Sequence, residues 1–167
     1  MIRLYLSQYQ HAQEQSKAGI ALLDLILKSE YHKKLSELEI LHNEMGKPYF
    51  SNYDLHFNLT HSGGFVVLAL SDRPVGVDIE AIRPIRREIG IRYLGVDTTD
   101  KMELVRAWTK RESYGKMTGE GFHIQDFSQP HFFHEYRIEG LCDDFILTVC
   151  SPENDFPEKI EKIKILI

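Results

Sequence analysis

The chain has 167 residues, of which 43% are hydrophobic and 27% charged, and its formal net charge is −5. This composition is typical of a folded globular protein with one compact domain or two small fused modules, and it excludes a disordered or fibrous chain. The acidic balance disfavours a nucleic-acid partner, and no apolar run is long enough to span a bilayer. We therefore expect a cytoplasmic protein that acts on neither nucleic acid nor membrane.

The first part of the chain predicts one helix among several strands. The helix has apolar side chains at helical spacing and contains no proline. Gly46-Lys47-Pro48 is a turn signal, and the polar, glycine-containing stretch 60–64 is expected to end a strand. The elements are expected at residues 2–6 (strand), 14–31 (helix), 49–50 (strand), 55–59 (strand) and 65–70 (strand or short helix).

The second part predicts a similar order of elements. They are expected at residues 75–79 (strand), 99–117 (helix, with Thr99 as its N-cap), 136–138 and 145–149 (hairpin) and 160–167 (strand). The similar order predicts an α+β fold of two similar halves, 1–74 and 75–167, related by a pseudo-twofold duplication. No flexible linker separates them, so together they should form one compact unit.

Two acids stand close together in Gly76-Val77-Asp78-Ile79-Glu80. Side chains alternate between the faces of a strand, so Asp78 and Glu80 share one face while Val77 and Ile79 pack on the other. The plain alternative is a solvated strand edge with two surface acids. Carboxylates in this arrangement are ligands that Mg²⁺ prefers.

The predicted helix adds a third acid in Trp108-Thr109-Lys110-Arg111-Glu112-Ser113-Tyr114-Gly115-Lys116. Glu112 lies four residues from both Trp108 and Lys116, which places the three on one helix face. One reading gives Glu112 to a metal ion and Lys116 to a phosphate oxygen. The other is an exposed ion pair with the tryptophan in the core.

His61 stands in the small polar stretch before Gly63 and Gly64, where an imidazole and backbone N–H groups can meet an anion. The alternative is a loop histidine with a local hydrogen bond. Four arginines follow the two acids and indicate an anionic partner or a solvated face. They are Arg83, Arg86, Arg87 and Arg92.

Taken together, these stretches resemble the 4′-phosphopantetheinyl transferase superfamily, and its Sfp-type branch in particular. Each stretch alone is a weak signal, whereas four in the family's order are a strong one. The matching stretches are Gly46-Lys47-Pro48, 57–63, 76–80 and 108–116.

The resemblance implies transfer of phosphopantetheine from coenzyme A to a serine of an apo acyl or peptidyl carrier protein, with release of adenosine 3′,5′-bisphosphate. It implies that three acids bind Mg²⁺: Asp78, Glu80 and Glu112. It further implies coenzyme A contacts, mostly to phosphates, from Lys47, Thr60, His61 and Lys116. Within this reading Glu112, Lys116 and His61 are also catalytic.

The sequence departs from the family's pattern in three places. Arg111 stands where a lysine is usual, and the glutamate expected as general base is replaced by Asp97 as the nearest carboxylate. The Arg-rich segment that holds the 3′-phosphate has no clear match, and Lys17 is the nearest candidate. Two fused halves favour a monomer. Two other functions stay open: a coenzyme A or carrier-binding module without turnover, and a Mg²⁺-dependent phosphohydrolase.

Overall fold

The computed structural model describes residues 1–122, 127–138 and 144–165. The strands are β1 (Arg3–Gln8), β2 (Ile40–His42), β3 (Pro48–Phe50), β4 (His56–Ser62), β5 (Phe65–Ser71), β6 (Gly76–Ala81), β7 (Phe132–Tyr136), β8 (Phe145–Ser151) and β9 (Glu161–Lys162). The α-helices are α1 (Gln15–Glu30), α2 (Arg87–Ile89) and α3 (Lys101–Thr118), with short 3-10 turns at Ala12–Glu14 and Leu35–Glu37 and a π-helical stretch at Gly90–Leu94.

The strands form two larger sheets and one hairpin. The first sheet has the order β4-β5-β1-β9, with β9 parallel to β1 and the other pairs antiparallel. The second sheet has the order β6-β8-β7 and is antiparallel throughout. The hairpin pairs β2 with β3. The fold is therefore a mixture of α-helices and β-sheets, as the sequence predicted.

Strand β5 explains how the layers are held together. All seven of its residues are buried, and alternate side chains enter two different cores. Phe65, Val67 and Ala69 face a core shared with the second sheet, whereas Val66 and Leu68 face a core shared with α1. A strand covered on both faces reads as a continuous apolar run, which is why its periodicity alone did not distinguish strand from helix.

The second sheet is covered on its other face by α3. The hydroxyls of Thr109 on α3 and Thr148 on β8 are 2.8 Å apart, and Tyr114 and Met117 pack against Cys150. The layer order is thus α1, first sheet, second sheet, α3. Cys150 is free and buried, and Cys142 lies outside the described residues.

Several predicted boundaries shift in the structure. Asp100, not Thr99, caps α3, since its carboxylate accepts the N–H of Glu103 at 2.8 Å. The predicted hairpin exists as the antiparallel pair β7–β8, but its first strand is Phe132–Tyr136, and the loop residues 139–143 lie outside the described residues. Within residues 160–165, the described part of the predicted last strand, only Glu161–Lys162 are in a strand. No helix in the described part of the chain has the length and apolarity that a membrane span needs.

Candidate active site

The two strand acids lie where the alternation of β6 predicts. Val77 and Ile79 are fully buried in the core between the sheets. Asp78 and Glu80 point the other way, toward α3, and Asp78 is only 3% exposed. The reading of Asp78 as a surface acid on a solvated strand edge is therefore wrong. A carboxylate this deeply buried requires compensation by a partner or an ion.

Lys116 of α3 supplies part of that compensation. Its ammonium donates to the Asp78 carboxylate at 2.7 Å and to the carbonyl oxygen of Val77 at 3.2 Å. The hydroxyl of Thr60 lies 3.3 Å from the same carboxylate oxygen of Asp78 and 3.4 Å from the ammonium. The second carboxylate oxygen of Asp78 is buried and has no hydrogen-bond partner. Lys116 therefore pairs with an acid of β6, and Asp78 retains one oxygen available to a ligand.

The three predicted acids influence one another electrostatically. Burial raises the pKa of Asp78 above its ordinary value, and the neighbouring Lys116 opposes that rise. Burial also raises the pKa of Glu80 and of Glu112, and the negative charge of Asp78 raises both further. Glu112 adds to the pKa rise of Glu80. The site thus concentrates negative charge that is costly in the absence of a cation.

The acids are not preassembled around an ion. Among the described residues, no group of three His, Cys, Asp or Glu side chains stands in an arrangement that would hold a metal. Arg83 lies near Glu80, with 3.9 Å between its Nε and the carboxylate oxygen, and its guanidinium is 5.6 Å from the ring centre of Trp108. The orphaned oxygen of Asp78 and the raised pKa values are the features that fit a divalent cation.

Strand β4 holds β6 in place through its side chains. Three polar side chains of β4, at alternate positions, each accept one backbone N–H from β6. The bonds are Val77 N–H to Asn58 Oδ1 (2.8 Å), Ile79 N–H to Thr60 Oγ1 (3.3 Å) and Ala81 N–H to Ser62 Oγ (3.4 Å). We call these three bonds the β4–β6 ladder. They join the edges of the two larger sheets and fix the position of Asp78 and Glu80 relative to β4.

The ladder corrects the expectation that residues 60–64 form a turn. Thr60, His61 and Ser62 continue β4, and only Gly63 and Gly64 form the turn, with φ of 54° and 87°. Asn58 and Ser62 also position the acids, a role that the sequence did not predict for them. The available signal was their spacing, since Asn58, Thr60 and Ser62 occupy alternate positions and so share one strand face.

His61 and Lys47 are the two remaining side chains that the sequence predicted as coenzyme A contacts. His61 is exposed, one residue from Thr60, and its charge slightly favours ionised Asp78. The ammonium of Lys47 donates to the carbonyl oxygen of Met117 at 2.9 Å, and Asn43 donates to that of Gly119 at 2.8 Å. Burial lowers the pKa of Lys47 to about 8. The β2–β3 hairpin thus fastens the end of α3, which carries Lys116.

Asp97 does not join the other acids in any contact that the structure describes. It is exposed and forms a two-pronged ion pair with Arg87, with N–O distances of 2.5 and 2.8 Å. The hydrogen bond from Arg87 lowers the pKa of Asp97 below its ordinary value. Arg111 is buried and its guanidinium lies 5.0 Å from the ring centre of Phe127.

Known proteins with similar sequences indicate the family of the chain. No protein-family model matches the chain. The 4′-phosphopantetheinyl transferase AcpT of Salmonella typhi is 37% identical over 130 residues, covering 68% of this chain and 67% of that protein. AcpT of Escherichia coli (strain K12) is 33% identical over 130 residues, covering 68% and 66%.

A third relative extends over more of the chain. The 4′-phosphopantetheinyl transferase Sfp of Bacillus subtilis (strain 168) is 26% identical over 175 aligned positions, covering 87% of this chain and 77% of that protein. These relatives carry one family name, and the similarity to the Salmonella typhi protein is well above chance over two thirds of its length. The chain belongs to the 4′-phosphopantetheinyl transferase family.

Proposed function

We propose that the chain transfers the 4′-phosphopantetheine group of coenzyme A to a serine hydroxyl of an apo acyl or peptidyl carrier protein and releases adenosine 3′,5′-bisphosphate. The observation that carries the proposal is the ion pair between the buried Asp78 and the partly exposed Lys116, beside Glu80 and Glu112, in a chain of the transferase family. Carboxylates suit a hard divalent cation, and an ammonium among them suits a phosphate oxygen.

We assign Asp78, Glu80 and Glu112 to the divalent ion, which we take to be Mg²⁺; Mn²⁺ accepts the same oxygen ligands. The assignment is supported by the partnerless buried oxygen of Asp78 and by the raised pKa values of all three acids. When bound, such an ion polarises phosphate oxygens and offsets charge on a leaving phosphate. The carboxylates contribute by remaining ionised at neutral pH once a cation compensates their burial.

We assign the phosphates of coenzyme A to Lys116, Thr60 and His61. Lys116 and Thr60 already contact each other and Asp78, so a phosphate held there replaces Asp78 as the partner of the ammonium. His61 follows Thr60 on β4 and is exposed, so its imidazole is accessible to a ligand from solvent. Lys47 is retained as a phosphate contact, and its bond to Met117 supports a second effect, which is to position Lys116.

The carrier serine must lose its proton, and two carboxylates compete for that role. Asp97 is held by Arg87, whose hydrogen bond lowers the pKa of Asp97 and with it its proton affinity. Burial raises the pKa of Glu112, but we assign this side chain to the divalent ion, and a bound cation lowers the affinity of a carboxylate for a proton. We therefore do not retain Asp97 as the proton acceptor.

We also propose that residues 1–74 and 75–167 form two similar halves. It is supported by the way each of the two larger sheets carries its own helix, α1 or α3, and by the β4–β6 ladder that joins them. We further propose that the protein acts as a cytoplasmic monomer, with the ligands held between the two sheet edges.

One incubation separates this function from the alternatives. The protein is mixed with coenzyme A, Mg²⁺ and an apo carrier protein, and the intact mass of the carrier is followed. A carrier mass increased by one phosphopantetheine group supports transfer. Binding of coenzyme A without a mass gain would identify a binding module, and cleavage of the diphosphate without a carrier would identify a phosphohydrolase.

A further inference from the structure

A pocket of about 590 Å³ opens beside the candidate active site, which is within the size range of small-molecule sites. One wall is formed by the chain after β1, including Tyr9 and Gln15, and the other by residues 61–64 at the end of β4. The N–H of Tyr9 donates to the carbonyl oxygen of Gly64 at 2.9 Å, which fixes the two walls to each other. The pocket is therefore built by the fold rather than by loose surface side chains.

The pocket adjoins the acids through β4 and β6. Ser62 lines the pocket and accepts the N–H of Ala81, the residue directly after Glu80. Thr60, which contacts Asp78, precedes Ser62 by two residues, a distance of about 7 Å along a strand. A diphosphate held at the acids can therefore direct one of its two substituents into this pocket.

The lining of the pocket carries no permanently charged side chain. Among the described residues that form it there is no lysine, arginine, aspartate or glutamate, and His61 is its one histidine. The amides of Gln10 and Gln15, the hydroxyl of Ser62 and the ring of Tyr9 offer hydrogen bonds and a stacking surface, which suit an uncharged base and ribose.

A phosphate monoester is a poor match for such a lining. At pH 7 it carries a charge of about −1.5 to −2, and enclosed phosphates in proteins are typically met by arginine or lysine. Lys17, the nearest lysine in sequence, is exposed on α1 and is not part of the pocket wall. The 3′-phosphate of coenzyme A would thus gain little from this pocket.

We propose that the pocket receives the nucleoside end of the donor without requiring its 3′-phosphate, so that 3′-dephospho-coenzyme A is also a donor. This inference rests on the proposed transfer function. The carrier serine oxygen bonds to the phosphorus that bears pantetheine, the bond from that phosphorus to the bridging oxygen breaks, and the serine proton passes to a carboxylate and then to water. The leaving group is then adenosine 5′-monophosphate.

Calorimetric titration with coenzyme A and with 3′-dephospho-coenzyme A, each in the presence of Mg²⁺, tests the inference without a carrier protein. We expect dissociation constants within about fivefold of each other, since the pocket has no lysine or arginine that would distinguish the two donors. A larger loss of affinity for the dephospho compound overturns the inference and leaves the transfer function intact. If neither compound binds, the transfer function fails and the inference fails with it.

A substitution that adds a positive charge to the pocket tests where the nucleoside binds. Gln15→Arg puts a guanidinium into the pocket wall and should shift the preference toward coenzyme A by roughly tenfold or more, because hydrogen bonds between charged groups are strong. Gln13→Arg is the matched control, since Gln13 is exposed and outside the wall, and it should leave the ratio unchanged. An unchanged ratio in Gln15→Arg would show that the 3′ end lies elsewhere and overturn the proposal.

Discussion

Replacing Asn58 with leucine tests the β4–β6 ladder at its shortest bond. Asn58 is 5% exposed and Val77 is fully buried, so the leucine leaves the Val77 N–H without an acceptor or access to water. Leucine has nearly the shape of asparagine, so no large cavity adds to the effect. An unsatisfied buried donor costs about 1–3 kcal/mol. For a chain of this length that corresponds to a fall in Tm of roughly 2–12 °C.

The assay is thermal unfolding followed by circular dichroism, together with hydrogen exchange at the Val77 amide. Asn52→Leu is the matched control, because Asn52 likewise accepts a backbone N–H and also donates to a backbone carbonyl, but it is exposed, and water can replace both bonds. We expect the control to change the free energy of unfolding by less than about 1 kcal/mol. A variant Asn58→Leu with native Tm and native protection of Val77 would refute the ladder as a structural connection.

Three further predictions concern charge and packing at the site. Burial raises the pKa of Glu112 above its ordinary value, so without metal the free energy of unfolding falls as the pH rises and Glu112 ionises. Glu112→Gln should therefore raise Tm at pH 7.5, lose this gain near pH 4 and abolish transfer. A lower Tm of the variant at pH 7.5 would contradict this explanation. Lys116→Met leaves the buried Asp78 carboxylate without its charged partner and should lower the free energy of unfolding, measured in urea at pH 7, by about 3 kcal/mol. The loss should be smaller in acid, where Asp78 is protonated. Equal losses at both pH values would exclude this explanation. Gly76→Ala should lower Tm strongly, since a Cβ would overlap the carbonyl oxygen of Ser113 in α3. Gly19→Ala is the control and should be tolerated, because the nearest atom to its Cβ would be 3.4 Å away. Similar Tm values for both variants would refute the close packing of β6 on α3.

The strand and helix periods predicted part of the site from sequence alone. Alternation in β6 placed Asp78 and Glu80 on one face, and helical spacing placed Glu112 and Lys116 together. These are short-range properties, because the repeat of a strand or helix fixes which neighbours share a face. The partner of Lys116 was not predictable in the same way, since it pairs with Asp78, 38 residues away, rather than with Glu112 on its own helix.

The roles of polar residues in β4 required the tertiary structure. Thr60 and Ser62 stand next to Gly63 and Gly64, and Ser, Thr and Gly together are typical of turns. In the folded chain their hydroxyls accept hydrogen bonds from a different sheet, an arrangement that no local pattern encodes. Asp97 shows the opposite case, because its position in the sequence indicated a base, whereas the structure pairs it with Arg87.

The most direct test of the account is the intact mass of an apo carrier protein after incubation with coenzyme A, Mg²⁺ and three forms of the protein. We predict that the native chain adds one phosphopantetheine group, and so does Asp54→Asn, which changes an exposed acid outside the site. Asp78→Asn should add none, because it removes the carboxylate charge that we assign to the metal. Full loading by a correctly folded Asp78→Asn variant, or no loading by the native chain, would contradict the account.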